Sequence, residues 1–158
     1  MASVAEHLVH QLEGAGVRHI YGIVGDSLNP VVDAVRRSKK IRWIHVRHEE
    51  TAAFAAAAEA EITGQLAVCA GSCGPGNLHL INGLYDANRS HLPVLAIASH
   101  IPTSQIGTGF FQETHPDRIF DECSVFSEMI SSSEQVPRVT RCAIQQALSN
   151  HGVAVLTL

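Results

Sequence analysis

The 158 residues contain no CxxC pair, no run of 18 consecutive apolar residues and no surplus of basic side chains. The first absence, together with the lack of an HxxxH companion, leaves Cys69, Cys73, Cys123 and Cys142 without the ligand spacing of a zinc site, so no metal site is assigned and a reducing compartment is expected. The second removes a membrane-spanning helix, and the first 20 residues carry Glu6, His7, His10 and Glu13 where a signal peptide would have an apolar core. The third, with 11 Lys and Arg against 15 Asp and Glu and a pI near 6.2, gives no long-range attraction to nucleic acid or an anionic membrane. One small basic cluster, Arg36, Arg37, Lys39 and Lys40, falls where a helix should end and cations complement the helix dipole. These features together point to a cytoplasmic chain. No repeat, linker or low-complexity segment divides it, and 46% hydrophobic with 16% charged residues is the balance of one globular domain.

What the sequence does have is an alternation of helical and strand signals, the pattern of a parallel sheet covered by helices. Val4, Leu8 and Leu12 predict a helix over 3–15, stopped by Gly14 and Gly16. Strands are expected over 19–24, 41–46, 66–70, 93–98, 124–130 and 153–158. Helices are expected from Pro30 to about Arg37, over the Ala-rich 49–62, from the GSCGPGN turn to about Ala87, and over 134–149 with a cap from Ser131–Ser133. The fold class is therefore α/β, three layers around six strands. Residues 99–116 have no period and two prolines, and a loop of that length is uncommon in a compact domain unless it carries function.

In such sheets ligands gather beyond the carboxyl ends of the strands, so VGDSLN (24–29), VRHEE (46–50), GSCGPGN (71–77) and FFQET (110–114) are the candidate segments. GSCGPGN is neither GxGxxG nor a P-loop. It reads either as a tight turn or as a place where a planar or anionic ligand approaches the backbone. Asn77 can cap the following helix or face a ligand. Glu49, where a strand gives way to a helix, is either a carboxylate stabilised by the helix dipole or one withdrawn from water that shares a proton with a ring nitrogen. His48, His79 and His115 are read as structural or surface histidines.

Taken together, GVRHIYGIVGDSLNPVVDAV, VRHEETAAFAAAAEA, LAVCAGSCGPGNLHLINGLYDA and FFQETHP resemble the N-terminal pyrimidine-binding domain of thiamine-diphosphate enzymes over nearly the whole chain. Within that superfamily the wording is most similar to pyruvate oxidases of the pyruvate dehydrogenase (quinone) type, with acetolactate synthase as the nearest competitor. The resemblance implies that Glu49 is the catalytic glutamate, hydrogen-bonded to the aminopyrimidine ring. It places Gly25, Gly74, Pro75, Gly76 and Asn77 beside thiamine diphosphate, and Phe111 and Gln112 on the substrate side. There an apolar face suits the methyl of pyruvate and an amide its carboxylate. The implied reaction is oxidation of pyruvate to acetate and CO2, with FAD and Mg2+ as further cofactors and a quinone as acceptor. A homo-oligomer, dimer or tetramer, is implied too, and a peripheral position at the inner face of the cell membrane.

Family members hold the diphosphate and Mg2+ through a GDG segment and a later Asn-Asn pair, neither of which occurs here. The expectation is accordingly that residues 1–158 form the pyrimidine domain, with a central FAD-type domain and a C-terminal diphosphate domain outside the chain. The ending on VAVLTL is read the same way, as a piece of a longer protein with no oxidase activity and weak cofactor affinity by itself. Exposed apolar surface around 74–87 is expected to favour self-association. The alternatives are another 2-oxo acid decarboxylase or a non-catalytic binding module that kept the fold.

Overall fold

The computed structural model describes residues 3–158. Six strands, β1 (His19–Gly22), β2 (Arg42–His45), β3 (Ala67–Gly71), β4 (Val94–Ala98), β5 (Phe126–Met129) and β6 (Val153–Thr157), form one sheet in the order β2-β1-β3-β4-β6-β5. Every pairing is parallel. Helices α1 (Val4–Gly14), α2 (Asn29–Ser38), α3 (Glu49–Thr63), α4 (Pro75–Arg89), α5 (Pro116–Ile119) and α6 (Val136–Asn150) connect them.

The central strands β3, β4 and β6 are buried on both faces, and their side chains alternate between two cores. Val68, Ala70, Leu95, Ile97, Ala154 and Leu156 face α1, α2 and α6. Ala67, Cys69, Val94, Ala96, Val153 and Val155 face α3 and α4. The sequence's apolar runs without polar alternation are thus explained by a layer of helices on each side. Burial pushes the Cys69 thiol up to about 12 and that of Cys123 up to about 11, so both remain protonated packing groups.

The second layer is unusually close. A Cβ on Gly83 of α4 would stand 2.5 Å from Ala53 Cβ and 3.0 Å from the Phe54 backbone nitrogen of α3. The run AAFAAAAEAE therefore does more than favour helix: its small side chains let α4 approach the α3 backbone. Glu49, the first residue of α3, inherits its position from that packing.

Several sequence expectations shift at their ends. β1 stops at Gly22, and Val24, expected inside the strand, lies beyond it and is exposed. The serines 131–133 make no side-chain cap on α6; a 3-10 turn at Ser133–Gln135 leads into it, Pro137 occupies its first turn, and Ser131 donates to the Gln135 amide. Residues 116–123, to which the sequence reading assigns no helix or strand, form α5 and a further 3-10 turn that bury Phe120 and Cys123. The basic cluster ends α2, as expected from the dipole argument. Arg37 pairs with Glu6 and Asp33, Arg36 with Asp33, and Lys40 with Glu13.

Candidate active site

At the carboxyl end of the sheet the chain turns after β3 through Ser72, Cys73 and Gly74 into α4. Gly74 has φ 68° and ψ −122°, a conformation effectively reserved for glycine, and a Cβ there would stand 3.1 Å from the backbone oxygen of Gln112. Pro75, exposed, opens the helix with the fixed φ suited to a first turn. Gly76 is constrained by space: its Cβ would lie 3.2 Å from Glu49 Oε1. The GPG turn therefore touches Gln112 on one side and Glu49 on the other.

Glu49 is 7% exposed and begins α3 immediately after His48, whose Nδ1 accepts from the Glu50 backbone N–H at 3.3 Å. Its Oε2 bonds His79 Nδ1 at 3.0 Å. For Oε1 there is no hydrogen-bond partner among the described residues. A buried carboxylate with one oxygen tied and the other facing a glycine fits a ring nitrogen of an aminopyrimidine, and the missing Cβ of Gly76 leaves room beside it. Sequence reasoning misses His79 because nothing in its spacing separates it from a surface histidine on α4. Its bond to Glu49 exists only through the α3–α4 packing.

Across the turn, Gln112 Oε1 accepts from the Cys73 thiol at 3.4 Å. Phe111, 83% exposed, projects from the surface with its ring centroid 4.9 Å from that of Phe110. Phe111 and Gln112 border a cavity of about 420 Å³ whose other walls include Asp26, Ser27, Cys73 and His100. Glu49 does not line it. Burial pushes the pKa of His100 down, so its ring is neutral there.

Gly25 lies in extended backbone, and its restriction is again steric, since a Cβ would overlap the Ser72 hydroxyl. Asn77 is fully buried and donates from Nδ2 to the Ser99 carbonyl at 2.7 Å, tying α4 to the segment after β4. A hydroxyl hub, which sequence reasoning also misses, joins three strand ends. Ser27 Oγ lies 2.9 Å from Ser72 Oγ and 2.6 Å from Ser99 Oγ, and accepts from Cys73 N–H at 3.0 Å. The available signal is positional: each serine lies in the segment just beyond β1, β3 or β4.

A family model for the N-terminal TPP binding domain of thiamine pyrophosphate enzymes matches residues 2–120. The chain belongs to this family. It is 61% identical over 98% of its length to an uncharacterized 42.6 kDa protein in the isoamylase 3' region of Pseudomonas amyloderamosa, covering 39% of that protein. It is 41% identical over 96% of its length to pyruvate oxidase of Lactiplantibacillus plantarum, covering 25% of it. With the large subunit of acetolactate synthase isozyme 1 of Escherichia coli it shares 37% identity over 92% of the chain and 26% of the relative. The chain thus spans between a quarter and two-fifths of the length of these relatives.

Proposed function

We propose that this domain supplies the pyrimidine side of the active site in a thiamine-diphosphate-dependent pyruvate:quinone oxidoreductase that converts pyruvate to acetate and CO2. The observation carrying the proposal is the buried Glu49 carboxylate, with Oε2 bonded to His79 and Oε1 beside Gly76. When bound, thiamine diphosphate supplies a nucleophilic thiazolium carbon and an electron sink for decarboxylation. Glu49 exchanges a proton with the ring nitrogen from Oε1, the acid–base task suited to a carboxylate held at hydrogen-bond range. Gly74, Pro75 and Gly76 flank the ring, and the loop at Gly25 approaches from the β1 end. Asn77, bonded to Ser99, supports the turn from beneath. Phe111 offers an apolar face to the methyl of pyruvate and the Gln112 amide bonds the carboxylate.

In this proposal a central domain carries FAD, a C-terminal domain carries the diphosphate with Mg2+, and the enzyme is a homo-oligomer of the cytoplasm or of the inner membrane surface. The pyruvate oxidase relative supports the reading. The acetolactate synthase relative, at 37% identity, supports a second one, in which the same site serves carbon–carbon bond formation. The full-length protein, assayed with pyruvate, thiamine diphosphate, Mg2+ and a quinone analogue, is expected to reduce the quinone and form acetate; acetolactate as the product would favour the second reading. Glu49→Gln is expected to lower turnover by about 10²–10⁴-fold, and unchanged turnover would remove Glu49 from the mechanism.

A further inference from the structure

We propose that His79 is a positioning residue for Glu49: its Nδ1–H holds one carboxylate oxygen and so dedicates the other to the ring nitrogen. This rests on the role of Glu49 proposed above. The two residues come from different helices, at the start of α3 and one turn into α4, and their 3.0 Å hydrogen bond joins a buried carboxylate to an imidazole that is itself partly open to solvent. Without that donor, neither Glu49 oxygen has a hydrogen-bond partner among the described residues. With it, Oε2 is spoken for and Oε1 faces the gap at Gly76.

The neighbouring groups determine where the protons lie. His48 Nδ1 accepts from the Glu50 backbone N–H, so the proton of a neutral His48 is on Nε2. His79 Nδ1 faces an acceptor carboxylate, so its proton is on Nδ1. The two rings stack with centroids 4.3 Å apart and an interplanar angle of 27°, and thus form a pair in opposite tautomers, each set by a different partner. Glu50, the other carboxylate nearby, accepts from Asn82 Nδ2 through Oε1 at 2.8 Å, and its Oε2 lies 4.0 Å from His48 Nδ1, beyond hydrogen-bond range. The stacking holds the two ring planes within 27° of each other. It also argues against a shared cation: His48, Glu49 and His79 bring potential ligand atoms within 4.8 Å of one another, but the lone pairs of near-parallel rings lie in near-parallel planes and do not converge on one point.

Histidine tautomers provide a test that does not depend on turnover. In the chain labelled with 15N-histidine, NMR is expected to find His79 protonated on Nδ1 and His48 on Nε2; Glu49→Ala moves His79 toward the Nε2–H form and leaves His48 unchanged. A wild-type His79 protonated on Nε2 overturns the proposal. In the full-length protein with thiamine diphosphate and Mg2+, deuterium exchange at the thiazolium carbon is expected to slow by about 10–100-fold in His79→Ala, with a displaced pH profile. His79→Asn, whose amide nitrogen reaches the place of Nδ1, is expected to recover most of the rate; Asn performing no better than Ala overturns the hydrogen-bond role. If Glu49→Gln slows exchange and His79→Ala does not, the proposal fails while the role of Glu49 stands. If neither slows it, both fail.

Discussion

The two walls beside the GPG turn are built by opposite means. On the Glu49 side, two 15-residue helices meet backbone to side chain through Gly83 and Ala53, and the His79–Glu49 and Asn82–Glu50 hydrogen bonds cross between them. On the Gln112 side, residues 99–115 contain only one short 3-10 turn; Ser99 is anchored to Ser27, Gly71 and Asn77, and beyond the buried Ile101 the side-chain ties are separate hydrogen bonds, Cys73 to Gln112 and the Glu113 carboxylate accepting from Gly107 and Gly109 N–H. Close packing tolerates little displacement, whereas a wall of separate hydrogen bonds can give way one bond at a time. Under the proposed function the proton-handling group stands on the stiff wall and the substrate-facing groups on the adjustable one.

The contrast is broken most severely where the two helices meet. Gly83→Val is expected to cost about 3 kcal/mol by overpacking α4 against α3, read as a lower urea midpoint, and the His79–Glu49 hydrogen bond should break as the helices part. Ala53→Gly in the same chain should return part of that stability. On the other wall, Ser27→Ala leaves Cys73 N–H and two hydroxyls short of a partner and is expected to cost about 1–3 kcal/mol, with hydrogen exchange accelerating at Cys73 and little change within α3. Equal acceleration in α3 would erase the distinction between the walls.

The smallest effect is one of pH. The backbone N–H groups of Gly107, Gly109 and Phe110 hold the Glu113 carboxyl below its ordinary range, with Gly107 contributing most. Because the folded pKa is the lower one, its contribution is complete above about pH 4.3 and is lost as pH falls through the folded value. Amides 107–113 should then lose protection while the α3–α4 packing persists; simultaneous loss in both would mean that the walls are coupled.

Much of this molecule is legible in its sequence because the relevant signals are local. Apolar runs mark β3, β4 and β6, the alanine-rich stretch marks α3, and Pro75 with its flanking glycines marks the start of α4. The α6 cap is misread because serines, a 3-10 turn and Pro137 compete for the same helix start. α5 escapes notice because four residues are too few to show a period. Glu49 and the GPG turn stand out by position and motif, but their mutual approach does not. Neither does His79, 30 residues away along the chain, because both depend on how closely two helices pack. The serine hub likewise joins residues up to 72 positions apart.

The thiols lend themselves to a practical use. Cys69, Cys73 and Cys123 are buried, while Cys142 on α6 is partly exposed, across the sheet from α3 and α4. Thiol reactivity requires both access and a thiolate. A maleimide-linked fluorophore or spin label should therefore report from the back of the sheet, an optical or magnetic handle for following ligand encounters at the opposite layer without altering a residue there.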